Sequence, residues 1–336
     1  MGSVNLKMLS KILNLSVSTV SKALRDSYDI GTDTKEKVIA LAKELNYQPN
    51  PYASSLRKNK SKTIAVILPE ISNNYFGLAM NGIESVAEEK GYHVLIYLTH
   101  EDYKKEAMYA RHLANGRVDG VLVSVSGSTR DITHLRELRE KDIPVVFFDR
   151  VREDVDTIKV TTNDYESGRT ATRHLIEQGC KKIGHLAISS YVSIGNKRML
   201  GYRQALLDHK IPVNEELIVN CTNDDEKDFK AIKKLLLTRN CDGIFASVER
   251  YAILTYEACR ELKLSIPNDV KVISFSNLQT ASLLDPSMTT ITQPAFEIGK
   301  TAASMLFKAL DKKSFVLTNE TIVLQSALIK RASTGF

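Results

Sequence analysis

The sequence contains no run of about 18 apolar residues, the length a membrane-spanning helix requires, so its 336 residues are expected to stay off the membrane. Its first residues lack the apolar h-region of a secretory signal, and export is not expected. Only four cysteines occur, Cys180, Cys221, Cys241 and Cys259, with neither CxxC nor metal-ligand spacing. They are expected to be reduced, buried side chains. The seven histidines form no HExxH and no close pair. No GxGxxG is present, and no nucleophile–base pair stands out. Gly299-Lys300-Thr301 has the look of a phosphate loop, but Pro294 stands where its first glycine belongs and the stretch reads as the start of a helix. No catalytic residue, metal or cofactor is therefore expected.

A hydrophobic content of 43% suffices for a sizeable core, and a prior of roughly 100–200 residues per domain suggests two or three domains. Residues 4–25 read as two short helices joined by a tight turn. Leu6, Leu9, Ile12 and Leu13 recur at helical spacing. Asn14-Leu15-Ser16 interrupts them: Asn tolerates left-handed backbone angles and Ser is a good N-cap. The second helix, expected over Val17 to Arg25, can bury Val20 and Leu24. It then shows Val17, Ser18, Ser21, Lys22 and Arg25 on its other face. Small polar and basic side chains on one exposed helix face suit a DNA major groove, although a merely solvated helix pair has the same pattern.

Charge separates those alternatives. Residues 1–62 hold 11 Lys or Arg against 5 Asp or Glu, an excess equal to the whole chain's formal +6, so the remainder is neutral. A local excess of this kind is what phosphate binding needs. A third helix follows, with a capping pattern at Thr32–Glu36 and an apolar stripe of Val38, Leu41, Ala42 and Leu45. It is expected to end near Asn46–Pro49 and to close a three-helix domain. Residues Asn50–Arg57 read as one short helix opened by Pro51, too short to be stable alone, with Lys58, Lys60 and Lys62 as a basic linker.

From residue 63 the pattern changes to alternating strands and helices. Apolar strands are expected at Thr63–Leu68, His93–Leu98, Gly120–Val125, Pro144–Asp149, Ile183–Ile188, Gly243–Ala246 and Val270–Phe275. Intervening helices are expected at Phe76–Lys90, Lys104–Ala114, Glu166–Gln178 and Arg198–Asp208. The cycle restarts after Asn163-Asp164, so the fold class is an N-terminal all-α helix-turn-helix domain plus an α/β core of two doubly wound subdomains. Ligands of such sheets lie beyond the carboxyl ends of the strands, which makes a cleft between the halves the expected site.

Six segments, VNLKMLSKILNLSVSTVSKAL, LNYQPNPYASSLR, TIAVILPEISNNYF, DYESGRTATRHLIEQGCKKIGHL, RMLGYRQAL and VISFSNLQTASLLDPSMTTITQPAFEIG, carry a stronger signal. In this order and spacing they resemble the lactose- and purine-repressor family of bacterial transcription regulators, over essentially the whole chain. The resemblance implies a periplasmic-binding-protein-like core and a domain plan of 1–49 for DNA binding, 50–62 for the hinge and 63–336 for effector binding and dimerisation. Within that core, an N-subdomain would take about 63–162 plus 294–323 and a C-subdomain about 163–293 plus 324–336. It implies a cytoplasmic, nucleoid-associated homodimer on a pseudo-palindromic, double-stranded operator, switched by a small-molecule effector. A carbohydrate is the effector class of most relatives, and Arg150, Arg198 and Arg250 leave a phosphorylated or acidic sugar open. The tail after Gln325 has no heptad run, which favours a dimer over a coiled-coil-linked tetramer.

Residue by residue, Val17, Ser18 and Lys22 match the family's base-reading positions. Ser16, Thr19, Ser21 and Asn50 match positions that hold phosphate or register, and Leu6 is counted with the DNA-binding residues. Leu56 matches the minor-groove wedge, and Ala53 the small residue that allows close approach. Lys22 stands where Arg is common, which softens base preference; Asn14 replaces a turn glycine and Met8 a frequent Asp. For the effector, Tyr75 and Phe76 match ring-stacking positions, with packing at a helix start as the alternative. Asp149 would accept hydrogen bonds from hydroxyls, and Arg150 would meet an anion or pair with Asp164. Arg198 matches a ligand-contacting arginine, with a structural ion pair as the alternative. Phe245, Glu249, Ser276 and Gln293 match cleft-facing positions. Asn163 and Asp164 would bind ligand or stabilise the crossover. Val248-Glu249 replaces a frequent Asn-Asp, and Ser276 replaces an Asp, which removes a carboxylate acceptor. An exported sugar-binding protein of the same core fold, or a sugar- or nucleotide-using enzyme, are the rival readings.

Overall fold

A computed structural model describes residues 4–47, 61–189, 191–222, 224–311 and 317–336. The chain divides into two compact units, residues 1–59 and 60–336. In the first, α1 (Leu6–Ile12), α2 (Val17–Ala23) and α3 (Thr32–Glu44) enclose a small core of Leu9, Val20, Ala23, Val38 and Ala42. The turn between α1 and α2 follows the sequence. Asn14 takes φ +51°, and the Ser16 side chain accepts the Thr19 N–H at 3.0 Å. Three details differ from expectation. Ile12 lies outside the stripe and is exposed, α2 stops at Ala23, and α3 starts on Gly31 with no side-chain cap hydrogen bond rather than on a Thr32 cap.

The second unit holds two six-stranded sheets. The first contains β1 (Thr63–Leu68), β2 (His93–Leu98), β3 (Gly120–Val123), β4 (Val145–Phe148), β5 (Lys159–Thr162) and β11 (Thr321–Leu324), in the order β11-β5-β4-β3-β1-β2 and parallel throughout. The second contains β6 (Ile183–Ala187), β7 (Ile218–Asn220), β8 (Gly243–Ala246), β9 (Lys271–Phe275), β10 (Thr289–Thr292) and β12 (Ala327–Ile329), ordered β12-β10-β9-β8-β6-β7 with only β12 antiparallel. Buried strands such as β1 and β4 are apolar throughout because helices cover both faces of a parallel sheet. The chain crosses between sheets three times, after Thr162, Thr292 and Leu324.

Two helix crossings frame the lobes. Helices α4 (Asn74–Glu89) and α11 (Ala295–Asp311) touch through glycines: a Cβ on Gly299 would lie 1.9 Å from the Ala79 carbonyl oxygen. Gly299-Lys300-Thr301 is therefore a helix-packing segment in the second turn of α11. In the other lobe α7 (Asp164–Glu177) meets α8 (Ser193–Asp208) where a Cβ on Gly201 would lie 2.2 Å from the Tyr165 carbonyl oxygen. This close approach carries Arg198 of α8 onto Asp164 of α7. The remaining helices are α5 (Tyr103–Leu113), α6 (Thr133–Glu140), α9 (Asp225–Arg239) and α10 (Glu249–Leu262).

Candidate effector cleft and DNA-reading helix

The carboxyl ends of both sheets face a polar cleft. Its wide part has a volume of about 910 Å³ and is lined from one lobe by Glu70, Glu101 and Arg150, and from the other by Asp225, Glu249 and Glu257. Beneath it lies an inner pocket of about 30 Å³, sharing Asn73, Arg150, Val248 and Glu249 with the wide part. Tyr75, Phe76, Asp149, Arg198, Ser276 and Gln293 line this inner pocket, so the structure gathers most of the sequence-selected residues in one place.

Backbone strain marks the same wall. His100, Glu101 and Asp149 adopt φ of +50°, +61° and +59°, at the ends of β2 and β4. A left-handed non-glycine residue costs of order 1–3 kcal/mol and persists where its surroundings hold it. The Asp149 N–H is held by the Val160 carbonyl at 2.9 Å. Burial pushes the Asp149 carboxyl up to about 6, with Arg150 and Arg198 pulling the other way.

The pairing of charges corrects one expectation. Arg150 donates to Glu101 Oε1 at 2.6 Å, not to Asp164, because the left-handed turn after β2 swings Glu101 against it. Glu101 Oε2 accepts the Gly127 N–H at 2.6 Å, so one carboxylate ties two segments of the cleft wall. Asp164 instead takes Arg198 Nε at 2.8 Å. Arg198 also donates to the Ser247 carbonyl at 2.6 Å and lies over the Phe275 ring at 3.7 Å. Arg198 is thus ion-paired and a pocket wall at once. Tyr75 Oη and Arg150 Nε are two of the six buried side-chain polar atoms among the described residues that lack a well-formed hydrogen bond. Both interact with the Asp149 carboxylate, whose Oδ2 lies 3.9 Å from Arg150 Nε, and both residues line the inner pocket.

Phe245 requires a second correction. It is fully buried and lines neither part of the cleft. Strand alternation turns it to the α7–α8 side, where it stacks on His185 at 4.6 Å. Ser276 does not leave the site without a carboxylate: its Oγ donates to Glu249 Oε2 at 2.7 Å, so position 249 supplies the acceptor missing at 276. Glu249 Oε1 also meets Asn74 Nδ2 across the cleft at 3.4 Å. Gln293 bridges the crossover, donating to Thr162 Oγ1 at 3.2 Å. Asn163 accepts from Ser167 Oγ and the Ser326 N–H, which makes it a crossover support. Phe76 is a core side chain edge-on to Phe148 as well as a pocket wall. Glu70, Asn73, Glu101, Asp225, Asn277 and Glu257 were not selected from sequence. Glu70 and Glu101 follow the carboxyl ends of β1 and β2, where the strand-end rule points.

On the first unit, Val17, Ser18 and Lys22 are exposed along α2. Ser16 Oγ lies 2.7 Å from Ser18 Oγ and 2.8 Å from Thr19 Oγ1, which orders the hydroxyls at the helix start. Lys22 pairs with Asp29, and Ser21 is engaged by Arg25. Leu6 is half-buried against the small core. Asn50, Ala53 and Leu56 lie outside the described residues.

A helix-turn-helix unit and two doubly wound lobes around a polar cleft define a ligand-responsive DNA-binding regulator. Residues 61–331 match the model for periplasmic binding proteins and the sugar binding domain of the LacI family, and residues 13–50 match that for bacterial regulatory proteins of the lacI family. The chain belongs to the LacI family, as a transcriptional repressor with a ligand-binding domain. It is 30% identical to the HTH-type transcriptional regulator RegA of Clostridium saccharobutylicum, over 98% of this chain and 99% of that protein. It is 31% identical to the ribose operon repressor of Halalkalibacterium halodurans, over 91% and 90%. The structure of a lac repressor dimer bound to operator and the anti-inducer ONPF has the same fold, with a TM-score of 0.85, 20% identity and 99% of each chain covered. These relatives are named as regulators and repressors of transcription, not enzymes. Among the described residues no helix is long and apolar enough to cross a membrane.

Proposed function

We propose that this chain represses transcription as a homodimer on a pseudo-palindromic operator, and that a polyhydroxylated small molecule in the cleft switches it. The observation that carries the effector reading is the inner pocket. Tyr75 Oη and Arg150 Nε are buried there without a well-formed hydrogen bond, turned to the Asp149 carboxylate and sharing the pocket with Glu249. A buried donor held only loosely costs up to roughly 1–3 kcal/mol, the figure for one wholly unsatisfied, and a ligand hydroxyl would reduce that cost. The relative named as a ribose operon repressor supports a sugar or sugar derivative. Arg198, Gln293 and Ser276 would complete the hydroxyl contacts, with Tyr75 and Phe76 as the apolar wall.

The output would be the face of α2. Val17, Ser18 and Lys22 would reach base edges; Leu6, Ser16, Thr19, Ser21 and Asn50 would hold register; Leu56, with Ala53 behind it, would wedge the minor groove. The domain plan of 1–49, 50–62 and 63–336 goes with this reading. Lys22 would exchange Asp29 for DNA, since an exposed ion pair is worth at most about 1 kcal/mol. An effector with different affinity for two arrangements of the lobes changes operator affinity by the reciprocal factor.

The test is a thermal-shift screen of sugars on the full chain, followed by a gel shift with operator from the chain's own promoter region. A sugar that raises the melting temperature and changes operator affinity supports the reading. Stabilisation without any change in operator affinity would count against the switch.

A further inference from the structure

The cleft's charge says more about the ligand than its fold does. The inner pocket, at about 30 Å³, admits one hydroxyl-sized group. The bulk of any ligand must therefore sit in the wide part, whose 910 Å³ lies near the upper end of the ~300–1,000 Å³ usual for small-molecule sites. Five carboxylates line that part, from Glu70, Glu101, Asp225, Glu249 and Glu257, against the guanidinium groups of Arg150 and Arg250. Both arginines are already engaged, Arg150 with Glu101 and Arg250 with Asp225, each at 2.6 Å. Among the described residues no ion pair engages Glu70, Glu249 or Glu257.

An anionic ligand would face three carboxylates that no close ion pair engages, although Glu70 feels the charges of Arg150 and Arg250, and would have to break an existing pair to gain a cation. A protonated amine would meet the opposite situation, a ready set of charge-assisted acceptors. Tyr75 Oη and Arg150 Nε, on side chains more than nine-tenths buried and without a well-formed hydrogen bond, suit a hydroxyl oxygen placed between them and Asp149 at the other end. Resting on the reading of this cleft as the effector site, we propose that the effector is an amino sugar or an oligosaccharide that contains one. Its hydroxylated end enters the inner pocket, and its ammonium lies among Glu70, Glu249 and Glu257. Sugar phosphates are the class this cleft rejects.

Calorimetry on the full chain tests the assignment with three probes: the β-linked glucosamine disaccharide, cellobiose, which matches it in shape with a hydroxyl in place of each ammonium, and glucose 6-phosphate. Below the amine's pKa and at about 50 mM salt, the glucosamine disaccharide should bind at least about tenfold more tightly than cellobiose, ~1.4 kcal/mol. The gap should narrow at about 0.5 M salt, because the wide part is open to screening. It should also narrow in the double variant Glu70→Gln, Glu257→Gln, the glucosamine disaccharide losing more affinity than cellobiose. Equal or tighter binding of cellobiose or glucose 6-phosphate overturns the amine and leaves the cleft standing as an effector site. A preference for the amine that survives the double variant overturns the placement of its charge. If no probe binds, the amine assignment falls, and if the broader sugar screen also finds nothing, the effector reading falls with it.

Discussion

Asp149 shows how much a single residue of this chain carries. It follows β4 in a left-handed conformation, with Arg150 Nε 3.9 Å from its Oδ2 and a carboxyl that burial pushes up to about 6. The sign of its contribution follows. A folded-state pKa above the ordinary value of 3.8 means the folded protein holds this proton more tightly than the unfolded chain does. Asp149 thus favours folding most below pH 3.8, and that contribution fades as the pH rises through about 6. Ligand binding runs in the opposite sense, because only the ionised carboxylate accepts hydrogen bonds at both oxygens. Effector affinity measured by calorimetry should fall as the pH drops below about 6, by up to tenfold per pH unit. Asp149→Asn should bind weakly with a flat profile over the same range. An Asn variant that keeps the wild-type pH dependence would assign the titration elsewhere. His185, buried between Tyr202 and Phe245 and pushed down to about 3 by burial, acts on stability instead. With its folded pKa depressed below the ordinary 6.5, its contribution is whole above that value and is lost as the pH falls toward about 3.

Elements were legible in the sequence to the extent that they are long and apolar. Strands β1, β2 and β8 fall where continuous apolar runs place them, and the α1–α2 turn falls where Asn14 and Ser16 place it. Strands β5 and β10 were not legible, because KVTT and TTIT are short, polar and buried only through their neighbours. The site shows the same division. Asp149 stands out at the end of an apolar strand, but its neighbour's partner, Glu101, lies 49 positions from Arg150 and no local pattern joins them. Nor does sequence distinguish Phe245 in the core from a cleft-facing aromatic until strand alternation is seen in three dimensions. The α7–α8 crossing makes a testable case of an element-scale constraint. A Cβ on Gly201 would lie 2.2 Å from the Tyr165 carbonyl oxygen and 2.6 Å from the Arg169 nitrogen, so the helices must part. Gly201→Ala should cost ~1–3 kcal/mol, lower the melting temperature by several degrees and weaken effector binding by loosening Arg198 from Asp164. Gly77→Ala is the control. Nothing lies within 4 Å of its Cβ, and in the first turn of α4 alanine should be neutral or stabilising by up to ~1 kcal/mol. Equal melting temperatures for the two variants would show that the crossing is not tight.

At the scale of the whole molecule, the proposed reading of two half-sites at once requires a dimer, and that dimer needs a surface. Strand β2 is an edge of the first sheet, and its Leu95 and Ile96 are 40% and 44% exposed. A parallel sheet's open edge with apolar side chains on it is a surface that proteins ordinarily cover. The proposed homodimer accounts for it, with a second copy of this edge as the cover. Leu95→Glu together with Ile96→Lys places charge on that edge while leaving the buried residues of β1 and β3 untouched. Sedimentation should then show monomers at concentrations where the unaltered chain is a dimer. Operator affinity should fall by at least ~100-fold, since the second helix-turn-helix would no longer bind at the effective concentration that tethering provides. The effector should still raise the melting temperature of the monomer, because both lobes that line the cleft are folded from the same chain as β2. Persistence of the dimer in this variant would move the interface away from β2. Monomers that keep full operator affinity would remove the need for pairing altogether, and with it the reading of the operator as two half-sites.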